Sequence, residues 1–160
     1  MVTKEEINIL LQQVMDPEVP VLTIHDLGIV RNIIIHQNEE VEICITPTYS
    51  GCPAMGAIAT NIRMELLANG ISNIKITEVL SPAWTTDWMT EDGKRKLREY
   101  GIAPPQYNSH NNPREADAVV PCPQCNSTNT TLVSQFGSTA CKALYKCLDC
   151  LEPFDYFKCH

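Results

Sequence analysis

The sequence predicts a mixed α/β (α+β) protein: a body with element order αββαβ, followed by a small cysteine-stapled ribbon. Three observations predict it. Over the first ~100 residues apolar positions recur at helical spacing, then alternate at strand spacing, then return to helical spacing. A stretch rich in Pro and Asn then breaks the pattern. Finally, two Cys-x-x-Cys pairs, Cys122-Pro-Gln-Cys125 and Cys147-Leu-Asp-Cys150, lie 21 residues apart near the C-terminus.

The first element reads as a helix. Thr3 and Glu6 have capping-box spacing, and Ile7, Leu10, Leu11 and Val14 make one apolar face. Asp16-Pro17 stops it, because the residue before proline is pushed out of the α region. Asp16-Pro17-Glu18-Val19-Pro20 is then a stiff loop carrying two carboxylates. Asp26-Leu27-Gly28 turns the chain into a strand through Ile35, and Gln37-Asn38-Glu39 turns it back. In the second strand Val41, Ile43 and Ile45 face one way and Glu42, Cys44 and Thr46 the other. A second helix starts near Cys52-Pro53, buries Met55, Ile58, Ala59, Ile62 and Leu66, and ends at Asn69-Gly70. Ile74 and Ile76 mark a third strand, and a charged helix runs from about Thr90 to Tyr100, closed by Gly101. The domain reading is a body at 1–103, a linker at 104–118 and a ribbon at 119–160.

Hydrophobic content of 44% is enough for a packed core, which excludes global disorder. Net charge is −7, and basic residues cluster only at Lys94-Arg95-Lys96 with Arg98, which argues against nucleic acid as a partner. No apolar run approaches the ~20 residues of a membrane span. The opening Met1–Glu6 lacks the apolar core of an export signal. Eight cysteines in an unexported chain imply a reducing compartment, so the expected location is cytoplasmic.

Four thiolates delivered as two tight pairs match the tetrahedral demand of Zn²⁺, so Cys122, Cys125, Cys147 and Cys150 are the expected metal ligands. Rubredoxin-like iron uses the same donors, and Cys141 or Cys159 could exchange into the set. The aromatics Phe136, Tyr145, Phe154, Tyr156 and Phe157 are the expected ribbon core.

Cys52 is the solitary thiol of interest. A position at a helix N-terminus favours thiolate, the form that attacks electrophiles and binds soft metals. A packing role is the competing reading, since free Cys is often buried. Asp16, Glu18 and Asp26 are candidate carboxylate partners, or else simply turn formers. Trp84 reads as a core residue beside a hydrogen-bonded turn. There is no Ser-His-Asp arrangement, P-loop or GxGxxG, and no Glu-x-x-His of the kind a di-iron oxygenase needs.

Asp16-Pro17-Glu18-Val19-Pro20, Asp26-Leu27-Gly28, the corner from Thr46-Pro47-Thr48 to Gly51-Cys52-Pro53, and Pro82-Ala83-Trp84-Thr85 resemble the SufT-type, or MIP-type, family of iron–sulfur assembly domains. With Phe136–Lys142 and Glu152–Lys158 added, body plus ribbon resembles the D-type family of accessory proteins in the ring-1,2-phenylacetyl-CoA epoxidase system. The resemblance implies an iron–sulfur-assembly-type domain followed by a zinc ribbon. It implies a non-enzymatic accessory protein of aerobic phenylacetate breakdown, assisting cluster assembly or insertion into the reductase component. Cys52 would be the reactive thiol, Asp16 and Glu18 its acidic loop, and iron or an iron–sulfur cluster its transient cargo. Reductase and oxygenase components are the implied partners, and a homodimer is compatible with this. Two alternatives stand beside it: a structural bridge within the oxygenase complex, and a rubredoxin-like electron carrier.

Overall fold

The computed structural model describes residues 1–158. Its contacts divide the chain into two compact units, Met1–Trp84 and Thr85–His160. The first unit is built from α1 (Lys4–Leu11), β1 (Val30–Ile35), β2 (Val41–Ile45), α2 (Ala54–Ala68) and β3 (Ile74–Glu78). The expected αββαβ order is therefore present, in a three-stranded sheet of order β1-β2-β3. β1 and β2 are antiparallel, whereas β2 and β3 are parallel, joined by α2 as crossover. Val41, Ile43 and Ile45 point into the core with Ile7, Leu11, Ile58, Ile62 and Leu66 from the helices.

The capping box of α1 forms in both directions: the Glu6 amide donates to Thr3 Oγ1 at 3.2 Å and the Thr3 amide to Glu6 Oε2 at 2.8 Å. The helix ends at Leu11, earlier than the proline signal suggests. The reason is a competing partner: Met15 bridges Thr23, the Asp16 amide donates to Leu22 O, and the Ile24 amide donates to Val14 O. Backbone beyond Leu11 thus gains a ladder it could not have as helix.

The second unit holds α3 (Glu91–Tyr100), β4 (Ile102–Ala103), β5 (Thr130–Ser134), β6 (Lys142–Cys147) and β7 (Pro153–Phe157). Thr90 caps α3 and Gly101 closes it at φ 92°, a left-handed turn that suits glycine. The sheet order is β4-β7-β6-β5, with β4 parallel to β7 and the other pairs antiparallel. Counting α3 and β4 with the body thus differs from the contact pattern. Residues 104–118 are also tied down rather than free: Ser109 Oγ donates to Asp87 at 2.5 Å, the Val119 amide donates to Tyr107 Oη at 3.1 Å, and Tyr107 packs against the ribbon core. Pro and Asn density signalled a spacer, but one tyrosine and one serine are enough to anchor it.

That core comprises Tyr145, Phe154 and Tyr156 with Val120, Ala103, Ala143 and two cysteines. Tyr145 stacks on Phe154 at 5.9 Å and meets Tyr156 edge-on at 5.5 Å. Phe136 does not join it. Its ring is 64% exposed and lies 4.3 Å beneath the Lys158 ammonium, a cation–π contact made at the surface.

Candidate functional site

In the second unit the backbone of each Cys-x-x-Cys pair folds into the same knuckle. The Cys122 amide donates to Ser127 O at 2.9 Å, and the Cys147 amide donates to Glu152 O at 3.0 Å, the same five-residue closure in both. Each knuckle is followed by a residue in the left-handed region, Asn126 at φ 62° and Leu151 at φ 66°. Asp149 locks the two together, accepting from the Ser127 hydroxyl and from Asn129 Nδ2 at 2.8 Å. These donors hold the Asp149 carboxyl below the usual carboxylate range, the Ser127 hydroxyl foremost.

The four sulfurs of Cys122, Cys125, Cys147 and Cys150 lie within 4.8 Å of one another. Cys122 and Cys150 are 3.7 Å apart and Cys125 and Cys147 3.5 Å. A tetrahedral ion with metal–sulfur bonds of about 2.3 Å would separate its sulfurs by about 3.8 Å, so the donor set fits. The thiols also disagree in acidity as neighbours must. Amides of Cys150 and Asp149 bring the Cys147 thiol down to about 7. The Glu152 amide also favours thiolate at Cys150, but burial and three adjoining sulfurs outweigh it and push that thiol up to about 12. Four thiolates could coexist here only around a cation, and the four sulfurs are placed where they could hold a metal ion. Cys141 is not part of it; it is buried, with Thr139 Oγ1 at 3.0 Å from its sulfur. Cys159 lies outside the described residues.

Cys52 belongs to the first unit, where α2 begins at Ala54 with Pro53 as its cap. The sulfur is therefore one step further from the helix than the sequence suggested, and its acidity is reversed. Burial pushes the Cys52 thiol up, and the Glu18 carboxylate adds to this; the Ala54 amide and the Thr48 and Tyr49 hydroxyls oppose it without prevailing. Thr48 Oγ1 stands 4.0 Å from the sulfur. At neutral pH the thiol keeps its proton, so helix-driven activation is not what this corner provides. What it provides is a protonated soft donor beside a carboxylate. The charge that disfavours thiolate also favours an incoming cation, which can displace the proton.

The acidic residues separate into two roles. Glu18 acts on Cys52 electrostatically. Asp16 is buried and shapes the loop: its Oδ1 accepts from the Glu18 amide at 2.8 Å and the Val19 amide at 2.7 Å. Asp26 and Thr23 cap one another's amides at 3.0 Å, so Asp26 is a turn former. Trp84 is buried and donates from Nε1 to Leu27 O at 2.7 Å.

A polar cluster escaped the sequence reading. Glu42, on the face of β2 away from the core, accepts from His36 Nε2 at 2.8 Å, Lys75 Nζ at 3.1 Å and Thr77 Oγ1 at 2.5 Å. The signal available was the strand alternation at Glu42; its partners lie just beyond β1 and on β3, which no local pattern reveals. Among the described residues no helix is long and apolar enough to cross a membrane.

Comparisons with known proteins follow the same division. Residues 4–79 match the model described as iron–sulfur cluster assembly protein, and residues 106–158 the model described as PaaD zinc beta ribbon domain. A protein of Escherichia coli (strain K12) named as the D-type subunit of a 1,2-phenylacetyl-CoA epoxidase is 54% identical over 96% of this chain and 92% of its own. A protein of Porphyromonas gingivalis named as an Fe–S protein maturation auxiliary factor is 33% identical, over 59% of this chain and 90% of its own. A solved DUF59 domain of Bacillus anthracis superposes with a TM-score of 0.55 at 28% identity, covering 59% of this chain and 90% of that one. With a thiol-bearing αββαβ unit, a four-cysteine cage and identity running across both, the chain belongs to the family of D-type subunits of 1,2-phenylacetyl-CoA epoxidase.

Proposed function

We propose that the protein is an accessory subunit of the bacterial phenylacetyl-CoA epoxidase system in aerobic phenylacetate catabolism. It assists iron–sulfur cluster assembly or insertion into the reductase component and does not itself activate oxygen. The observation that carries this reading is Cys52, a protonated thiol beside the Glu18 carboxylate, in a unit that matches iron–sulfur assembly and maturation proteins. Iron or an iron–sulfur cluster is then cargo, taken at Cys52 as the proton leaves, with Glu18 offsetting the positive charge and Asp16 holding the loop.

Zn²⁺ is the proposed resident ion of the second unit, held by Cys122, Cys125, Cys147 and Cys150. There it would supply structure, since four protein sulfurs would fill a tetrahedral ion's positions and leave none open for substrate. The reductase and oxygenase components are the proposed partners and the cytoplasm the proposed setting.

The test is to produce the reductase with the parent protein and with a Cys52→Ser variant. Reductase made with C52S is expected to carry less iron and acid-labile sulfide per polypeptide, while the variant itself retains the parent's circular dichroism. Equal cluster content would reject a thiol role and favour the second reading, a structural bridge. That reading draws support from the closed four-cysteine module, and it predicts co-purification at fixed stoichiometry insensitive to Cys52.

A further inference from the structure

A recess within the second unit lies against the first cysteine knuckle. It encloses about 320 Å³, its walls include Pro104, Pro121, Pro123, Gln124 and Asn126 with the proposed metal ligand Cys122, and among the described residues Arg98 is the one cation that lines it. Arg98 differs from the other cations of its helix. Lys94 pairs with Glu91 at 3.2 Å, Arg95 with Asp92 and Glu99 at 2.5 and 2.7 Å, and Lys96 with Asp92 at 3.3 Å. Arg98 makes no ion pair among the described residues. One guanidinium is therefore left over, and it borders a concavity.

The chemistry of the walls narrows what would enter. Proline rings are flat and apolar and suit an extended backbone or an aliphatic stem. The amides of Gln124 and Asn126 can both donate and accept, as a peptide backbone requires. A single guanidinium presents one planar fork, which a carboxylate satisfies bidentately. With no lysine in the lining, a phosphate would find too little positive charge. In a chain of net charge −7, one unpaired arginine in a hollow matches one anchored carboxylate, not a broadly acidic surface.

We propose that this recess binds a glutamate or aspartate side chain within a peptide segment of a partner protein, with Arg98 as the carboxylate anchor. The site goes beyond the Cys52 reading and does not rest on it. Arg98 also sits in the last turn of α3, where any cation complements the helix dipole. That duty needs only charge, whereas carboxylate capture needs the fork, so Arg98→Lys separates the two.

The experiment uses the full-length, metal-loaded protein, followed through the backbone amide resonances of Gly101, Gln124 and Asn126. The probes are acetyl-Ala-Glu-Ala-amide, its glutamine counterpart and inorganic phosphate. The glutamate peptide is expected to shift these resonances saturably and to bind about tenfold more tightly than the glutamine peptide, a difference of about 1.4 kcal/mol. R98K is expected to melt at the parent's temperature yet lose that preference, and R98Q to lose it as well. Absence of binding by the parent, equal response to the two peptides, an unaltered preference in R98K, or tighter binding of phosphate would each overturn the proposal. Because the readout is peptide binding, failure here is distinct from failure of the Cys52 test, which is read in reductase cluster content.

Discussion

Burial and the Glu18 carboxylate together hold the proton on the Cys52 sulfur, so the reactivity of this thiol depends on what approaches it. A neutral alkylating agent meets a poor nucleophile, while a soft cation meets a donor with a compensating negative charge nearby. Replacing Glu18 by Gln removes one cause of the raised pKa, and the thiolate fraction at a given pH must rise. In E18Q, iodoacetamide is expected to label Cys52 severalfold faster at near-neutral pH, read by mass spectrometry of the Cys52 peptide. An unchanged rate would mean that the carboxylate does not act on the sulfur. Glu42 shows the opposite shift. The Thr77 hydroxyl, then His36 and Lys75, stabilise its ionised form and bring its carboxyl from 4.5 down to about 2. The stability this adds is present in full above the unfolded-state value and is lost as pH falls from about 4.5 towards about 2. E42Q cannot ionise, so its urea midpoint should fall less than the parent's between about pH 5 and about pH 3. Parallel acid profiles for the two proteins would dismiss the role given to Glu42.

The elements differ in what holds them. α1 has a capping box, α3 has Thr90 at one end and Gly101 at the other, and β2 is flanked on both sides. The strands β5, β6 and β7 surround a small core in which Tyr145, Phe154 and Tyr156 pack with Val120, Ala103, Ala143 and two cysteines. A module that small buries too little apolar surface to offset the entropy of ordering its chain, so the metal must contribute the difference. Removing the ion with a mercurial and a chelator is expected to release one equivalent of zinc per chain. Hydrogen-exchange protection should then vanish from β5–β7 while β2 and α2 keep theirs. Retained protection in β6 after metal release would show that the ribbon folds without its staple.

Over the whole molecule, the two units follow the two family matches, 4–79 and 106–158, with α3 and β4 between those segments packed into the second unit. Sequence alone determined the αββαβ order, the caps Thr3 and Gly101, the alternation of β2 and the set of four clustered sulfurs. Each is local: a cap needs a partner three residues away, and a Cys-x-x-Cys pair brings two sulfurs to one ion by its own geometry. Tertiary structure decided what no short window encodes. It ended α1 early by offering Val14 and Asp16 a better ladder, and it attached the Pro- and Asn-rich segment through Tyr107 and Ser109. It gathered His36, from just beyond β1, and Lys75 and Thr77, both from β3, around Glu42. Above all it set the protonation of Cys52. Proximity to a helix is written in the sequence, but burial and the distance to Glu18 arise only when distant segments pack, and there they outweigh the helix.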